Sequence, residues 1–518
     1  MDADALADIR RLDAMVDHWA DRKPDALALV FGDQKWTWRQ FQQRGEKLAA
    51  ALVAAGVRPG DRVASYDKNH VACLELTQAA SRVGAVNTVV NFRLAPDEVA
   101  YVLEDAGATV LFVGHEFVEV WKQIADRINT VRKVVVVGGS PDEYEELLAS
   151  APAYEGVVDV QPDDAVNQLY TSGTTGFPKG AVLSHRALLA HTRACTELFQ
   201  TCEGRVSLVA MPLFHVGGSS YSLIALYAGV PTVLVREAHP TYLLPAIEEN
   251  GANQAFLVPA LIGMLLAAGE PAIHALGKLE ALAYGASPMP LPLLERCVQL
   301  LPTTVSLMQV YGLTEVSGVA TSLADGDHRD PAVRHRLLSA GKANPGVEVR
   351  ILDPGTSAPA EQGVSGEVQL RTEQVMTGYW NRAQATAEAI DSDGWFHTGD
   401  IGYLDEDGYL FIHDRLKDMI ISGGENIYSS EVENAVAAHP SVADVSVIGI
   451  ADEKWGEAVR AVVVPVPGQR IDAAEIIEFC RGRLAHYKCP KSIVVTEELP
   501  RNPSGKVLKN DLRKTFGQ

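Results

Sequence analysis

Tyr170-Thr171-Ser172-Gly173-Thr174-Thr175-Gly176-Phe177-Pro178-Lys179-Gly180 packs three glycines, four hydroxyls beyond the leading tyrosine and one lysine into eleven residues. Such a stretch has almost no side-chain surface from which to build a core, and it reads as a phosphate grip. Gly173 and Gly176 open backbone conformations closed to other residues, so that N–H groups turn inward onto an anion; Thr171, Ser172, Thr174 and Thr175 add hydroxyl donors and Lys179 a positive charge. The order Gly173, Gly176, Lys179 departs from the Walker spacing of glycine, four residues and then Gly-Lys-Ser/Thr, so the usual NTPase reading fails. The competing reading, a glycine- and threonine-rich surface loop, leaves the coincidence of charge, hydroxyls and glycines without a purpose. Outward from the grip, residues 163–168 leading to Leu169-Tyr170 form a strand entering it. Ala181-Val182-Leu183 form a strand leaving it, and Ser184 caps a helix from His185 onward.

The surrounding chain alternates short β-branched runs with alanine- and leucine-rich helical stretches. Residues 133–137 precede a helix over 142–149, and residues 232–235 precede a helix over 242–249. Past Gly341 the character changes to short strands, 347–352, 366–370 and 409–412, separated by Asp/Gly turns such as Asp405-Glu406-Asp407-Gly408. From about Asp418 a third composition begins, with helices over 430–439 and 473–484 and strands over 445–450, 459–464 and 492–495. The expected fold class is α/β: a large N-terminal α/β domain over residues 1–416, with a β-rich subdomain over about 341–416, and a small mobile C-terminal α+β domain over 417–518.

Bulk properties fit a globular protein of this size and exclude some partners. The 518 residues are 47% hydrophobic and 21% charged, with a formal net charge of -21. That charge argues against a nucleic-acid or anionic-membrane surface, so a phosphate ligand must be held by local cations and oriented amides. Cys73, Cys195, Cys202, Cys297, Cys480 and Cys489 lie scattered without metal-ligand spacing, which points to a reducing compartment and neither a disulfide framework nor a zinc site. The N-terminal residues are acidic and mixed where a signal peptide would be basic and then apolar, and no uncharged apolar run reaches the ~18 residues of a membrane span. A cytoplasmic protein is expected; peripheral membrane contact and homodimerisation stay open.

Four further motifs follow the grip in order: Tyr311-Gly312-Leu313-Thr314-Glu315, Gly394-Trp395-Phe396-His397-Thr398-Gly399-Asp400, Asp414-Arg415-Leu416-Lys417-Asp418 running into Ser422-Gly423-Gly424-Glu425-Asn426-Ile427, and Pro500-Arg501-Asn502-Pro503-Ser504-Gly505-Lys506. Together they resemble the adenylate-forming superfamily of acyl-CoA synthetases, nonribosomal adenylation domains and luciferases, over essentially the whole chain. The resemblance implies an ATP- and Mg²⁺-dependent acyl-CoA ligase. A carboxylic acid, fatty or otherwise hydrophobic, is adenylated and then joined to CoA, with release of AMP and pyrophosphate. An acyl-AMP ligase loading a carrier protein and a noncatalytic nucleotide-binding relative are the alternatives.

The resemblance also assigns roles. Lys506 is the catalytic cation at the α-phosphate and the substrate carboxylate, Thr314 a donor to the same phosphate, and Glu315 a Mg²⁺ ligand with Thr175. Tyr311 offers a flat face to adenine beside Gly312, Asp400 and Arg415 meet the ribose hydroxyls, and Gly285-Ala286-Ser287 forms a backbone wall shared by adenine and acyl group. With the grip residues Thr171 to Gly176 and Lys179, these make up the nucleotide site. Phe214, His215, Gly218 and Tyr221, within or just after Met211-Pro212-Leu213-Phe214-His215-Val216-Gly217-Gly218, gate the acyl pocket together with Val310, and His215 is counted with the catalytic residues. Where adenylation domains for amino acids commonly carry aspartate, this chain has His215, which disfavours an amino-acid substrate. Val310 stands where many fatty-acyl and coumarate-type relatives have glycine, which narrows the pocket there and disfavours a long straight chain. Ser422, Gly423 and Gly424 form a side-chain-poor passage for the pantetheine arm, Trp455, Tyr487 and Lys488 face CoA, and Lys417-Asp418 is the hinge about which the small domain rotates.

Overall fold

The computed structural model describes residues 6, 8–171, 178–356, 358–416, 418–422, 425–452, 454–501 and 507–517, with backbone only at 425 and 426. Among them two large sheets carry the N-terminal part. In the nine-stranded sheet a parallel run, Ser306–Leu313, Ala281–Gly285, Gln254–Leu257, Ser207–Val209, Thr232–Leu234 and Leu27–Phe31, is flanked by antiparallel strands at both edges. In the seven-stranded sheet the order is Gly378–Tyr379, Lys179–Ser184, Ala165–Thr171, Val86–Val90, Arg62–Tyr66, Ala108–Gly114 and Lys133–Val137. Strands Arg62–Tyr66 and Val86–Val90 in the middle of this sheet are buried throughout, the pattern of a covered parallel sheet, whereas the β-branched run Lys133–Val137 at its edge buries only Val135 and Val137 fully.

Helices between the sheets are started and stopped by local chemistry. His70 accepts from the Ala72 N–H at 3.2 Å to cap Val71–Val83, and Ser184 accepts from Ala187 N at 3.2 Å to cap His185–Leu198. Each such cap is worth about 1 kcal/mol. Val71–Val83 and Val216–Ala228 end at Gly84 and Gly229, whose φ values of 70° and 69° suit residues without Cβ. Helix Val216–Ala228 is buried at every residue but Gly217, its serines 219, 220 and 222 included, and lies in the core shared by both sheets.

The third sheet is antiparallel: Glu348–Leu352, Gly366–Arg371, Phe396–Leu404 and Leu410–Arg415. Lys342–Ala343 pairs instead with Gly318–Leu323 at the edge of the nine-stranded sheet. The last strand does not stop at Ile412, as its apolar run suggests, but continues to Arg415, because Asp414 and Arg415 still pair with Ile401 and Asp400 while their polar side chains leave no apolar period to read. Beyond it, Glu425–Ile427, Ile420–Ser422, Gly456–Pro465 and Val442–Asp452 form an antiparallel sheet with Ser492–Val495 added parallel to Gly456–Pro465. Helices Ser429–Ala437 and Ala473–Arg481 contribute Val432, Val436, Ile476 and Cys480 to its core.

Candidate active site

Thr171 and Lys179 close the open end of an antiparallel pair, opposite one another in register, with Tyr170 opposite Gly180. Ser172, Gly173, Thr174, Thr175 and Gly176 lie outside the described residues, so the structure speaks for the base of the grip. That base is held from outside the motif. Tyr170 Oη donates to Asp105 Oδ2 at 2.7 Å, Arg382 Nη2 donates to Asp105 Oδ1 at 2.6 Å, and Tyr101 Oη donates to the Pro178 carbonyl at 3.2 Å. Trp380 Nε1 reaches the Asp105 carbonyl at 3.0 Å while Arg62 stacks 3.3 Å from its ring centroid. Burial and then Asp105 push the Tyr170 phenol far above its ordinary value, so it stays a donor.

Facing the grip, strand pairing sets Asp400 directly opposite Arg415. Arg415 Nε sits 2.6 Å from Asp400 Oδ1, and Tyr311 Oη donates to Asp400 Oδ2 at 2.6 Å. Burial alone would make Arg415 less basic; Asp400, Tyr311, Glu315 and Asp418 outweigh it and hold the guanidinium charged. Tyr311 is raised well above its usual value by burial and by Asp400. Its backbone follows Val310, whose strand runs so close to Gly285 that a Cβ there would overlap the Val310 carbonyl; a Cβ on Gly312 would likewise overlap the Gly318 carbonyl. Ala286, just past the strand Ala281–Gly285, takes a φ of 64°, unusual for a residue with a Cβ.

Thr314 and Glu315 begin a single helical turn and are buried, Glu315 with 8% of its surface exposed. A buried carboxylate is a hard oxygen donor of the kind Mg²⁺ takes. Among the described residues no three His, Cys, Asp or Glu side chains form a metal-binding group, and Thr175, the other expected ligand, lies outside the described residues. Tyr379 Oη donates to Glu315 Oε1 at 2.8 Å, and Lys179 Nζ stands 5.0 Å from the Tyr379 ring centroid.

His215 caps helix Val216–Ala228, its Nδ1 accepting from Gly217 N at 3.0 Å, a duty the sequence reading did not assign. Phe214 packs edge-on to Phe92 at 5.5 Å, and Tyr221 lies between Phe199 and Phe256. Burial pushes the Tyr221 phenol up to about 12. A Cβ on Gly218 would overlap the Pro212 carbonyl, so this glycine serves the tight return of the gate segment. Sequence reading missed Asn69. Its buried amide donates to the Met211 and Val235 carbonyls, each at 3.1 Å, and accepts from Leu213 N at 2.9 Å. Beside it Arg236 makes a two-pronged pair with Asp67 at 2.7 and 3.0 Å.

In the C-terminal part Ser422 is buried, while Trp455 and Tyr487 leave 45% and 41% of their surfaces exposed. Lys454 lies 4.5 Å from the Trp455 ring centroid, and Lys488 pairs with Glu431 at 2.7 Å. At the junction Asp418 is buried and pairs with Arg513 at 2.8 Å. Lys417, Gly423, Gly424 and Lys506 lie outside the described residues.

Known proteins share this plan. The sequence model of the AMP-binding enzyme family matches residues 16–380, and that of the AMP-binding enzyme C-terminal domain matches residues 431–506. The fatty acid–[acyl-carrier-protein] ligase ScoC of Streptomyces coeruleorubidus is 36% identical over 96% of this chain and 95% of its own. Feruloyl-CoA synthase of an Amycolatopsis species is 38% identical over 96% and 97%. The structure of o-succinylbenzoate CoA synthetase from Bacillus subtilis, in complex with its acyl-adenylate intermediate, superposes with a TM-score of 0.84 at 30% identity, covering 96% of this chain and 97% of the other.

Proposed function

This chain belongs to the AMP-binding enzyme family, and from that premise we propose how its residues divide the work of an AMP-forming acyl-CoA ligase. Joining a carboxylate to a thiol is uphill because the carboxylate oxygen leaves poorly. In the first step that oxygen attacks the α-phosphorus of ATP, a C–O–P linkage forms, and the bond to the β-phosphate breaks to release pyrophosphate. In the second the CoA thiol, having lost its proton, attacks the acyl carbonyl and AMP departs. The first step brings two anions together, so position and positive charge carry it.

The observation that supports this reading best is the Tyr311–Asp400–Arg415 cluster, held at 2.6 Å on both carboxylate oxygens and set against Glu315. Asp400 and Arg415 take the ribose hydroxyls, the Tyr311 ring and the 285–287 wall frame adenine, and Thr171, Lys179 and Thr314 receive the phosphates. Glu315 and Thr175 hold Mg²⁺, which when bound neutralises phosphate charge. Lys506 brings its cation to the carboxylate and α-phosphate from the C-terminal domain. Residues 1–416 and 417–518 act as the two domains, turning about Lys417-Asp418, with Ser422, Gly423, Gly424, Trp455, Tyr487 and Lys488 along the path of CoA.

The acid we assign is hydrophobic, with aryl and branched acids ahead of long straight chains. Phe214 and Tyr221 supply an apolar gate, Val310 fills the space beside Gly285, and the relatives include ligases for ferulate and o-succinylbenzoate. Likeness to ScoC favours a second reading, a carrier-protein thiol as acceptor. Acid-dependent ATP–pyrophosphate exchange across straight, branched, aryl and polycyclic acids tests the first step. AMP release with CoA or with a pantetheinylated carrier protein then tests the second. Exchange with aryl acids coupled to CoA consumption is expected; turnover with the carrier protein alone would give the acceptor to the second reading, and no exchange with any acid would end both.

A further inference from the structure

Five consecutive residues, Met376 to Trp380, stitch two parts of the site together, although none of them belongs to a motif read from the sequence. Met376 N donates to the Glu315 carbonyl at 2.8 Å, which ties the segment to the turn that carries the metal-ligand carboxylate. Thr377 N donates to the Val182 carbonyl at 2.9 Å and Trp380 N to the Gly180 carbonyl at 2.8 Å, which ties it to the strand leaving the phosphate grip. Gly378 takes a φ of 152° where a Cβ would press into Thr386, and Tyr379 N donates to Thr386 Oγ1 at 2.9 Å. The backbone thereby fixes where Tyr379 stands, opposite Ala181 and two register positions from Lys179.

We propose that Tyr379 is a positioning residue that couples the grip to the metal-binding carboxylate, its hydroxyl aiming Glu315 and its ring seating the Lys179 ammonium. The hydroxyl lies 2.8 Å from Glu315 Oε1 and the ammonium 5.0 Å from the ring centroid. A bond to one carboxylate oxygen fixes the plane in which the other is presented, and a cation above an aromatic face is drawn to the ring centre. Lysine on a flexible stem and glutamate with three rotatable bonds each lose rotamer freedom when held, so that anchoring them before ATP arrives lowers the cost of binding it. A tyrosine that merely filled space would be replaceable by phenylalanine without consequence.

The inference rests on the proposed nucleotide site, and the test separates the two. Mn²⁺ affinity is measured by electron paramagnetic resonance on the full chain in the presence of α,β-methylene-ATP, and affinity for the analogue alone by calorimetry in EDTA. Tyr379→Phe is expected to weaken Mn²⁺ roughly tenfold, the scale of one hydrogen bond to a charged group, while metal-free analogue affinity holds within twofold. Tyr379→Leu is expected to weaken the metal-free analogue as well, by roughly threefold, on losing the ring beneath Lys179. In a Glu315→Gln background Tyr379→Phe should add nothing further, since the carboxylate it aims is gone. Mn²⁺ affinity unchanged in Tyr379→Phe, or an equal loss in both backgrounds, overturns the inference while leaving the nucleotide site standing. Wild-type protein that binds no analogue overturns both. Should Tyr379→Leu fail to fold, Tyr379→Phe, which keeps the shape, decides alone.

Discussion

Asn69 ties the end of one sheet to the ends of two strands of the other, and through them to the gate. Its amide spends both donors on carbonyls and its oxygen on Leu213 N, with 3% of the residue exposed. Asn69→Ala leaves three buried backbone groups without a partner and is expected to destabilise the fold by about 2 kcal/mol or more. Because two of those groups, the Met211 carbonyl and Leu213 N, belong to the segment leading to Phe214 and His215, KM for the acid should rise roughly tenfold while KM for ATP stays within twofold. Asn69→Asp, which keeps the acceptor for Leu213 N, should fall between. Steady-state kinetics in each substrate decide it: KM values that move together would reduce Asn69 to general scaffolding. Asp400, Arg415 and Glu315 were legible in the sequence because their chemistry sits inside short ordered motifs. Asn69, Asp105 and Tyr379 were not, since each acts through partners far away in the chain, Asp105 on Arg382 across 277 positions.

Elements carry the same division. The alternation of β-branched and alanine-rich runs sufficed to place strands such as Lys133–Val137 and Ser492–Val495, and the hydroxyl of Ser184 to start its helix. The strand Leu410–Arg415 ran three residues past its apolar signal, and those three include the arginine that pairs with Asp400. Polar residues at a strand end satisfy the backbone ladder as well as apolar ones, but leave no period-two pattern to read. Helix Val216–Ala228, capped by His215 and carrying small residues and no charge, is buried at every residue but Gly217, with Gly218 beneath the Met211 and Pro212 carbonyls. Gly218→Ala must push those carbonyls away. It is expected to cost about 1–3 kcal/mol in chemical unfolding and to lower kcat/KM for the acid more than for ATP. A stable variant with wild-type acid kinetics would show that the gate tolerates the shift.

At the scale of the whole molecule, the order of domains was legible from composition and motif order, whereas the pose of the C-terminal part was not, because it depends on contacts across the junction. Ser429 N donates to Asp414 Oδ2 at 2.7 Å and Tyr428 packs 4.5 Å from His413, which docks the first C-terminal helix onto the strand of Arg415. Acid works on the interior instead. Burial lowers His185 to about 3, assisted by Arg11, and His191 to about 4, both from 6.5. A histidine whose folded pKa is depressed contributes stability that is complete above pH 6.5 and lost as pH falls toward 4, since the unfolded chain takes up the proton first. Each such group withdraws up to about 1.4 kcal/mol per pH unit in that window, and His70, also lowered by burial to about 3, adds to them, so unfolding free energy should drop measurably between pH 6.5 and 5.5. A flat profile there would mean that these rings are already charged in the folded protein.

The junction supports the last prediction, which concerns the two half-reactions. In the proposed mechanism adenylation and thioesterification place different groups at one acyl centre, Lys506 in the first and the thiol path along Ser422 in the second, through a turn of the C-terminal part. Asp418 is buried and paired with Arg513; in the proposed mechanism the rotation runs through Lys417 and Asp418, and the substitution that tests it is at Lys417. Proline at that position fixes φ near −65° and removes one degree of freedom from the pivot. Lys417→Pro is therefore expected to keep ATP–pyrophosphate exchange within about threefold of wild type while cutting thioester formation from supplied acyl-adenylate by more than about a hundredfold. Measured separately on the same preparation, the two rates discriminate sharply. Survival of both would place the pivot elsewhere, and equal loss of both would mean that Lys417 supports the site and does not turn it.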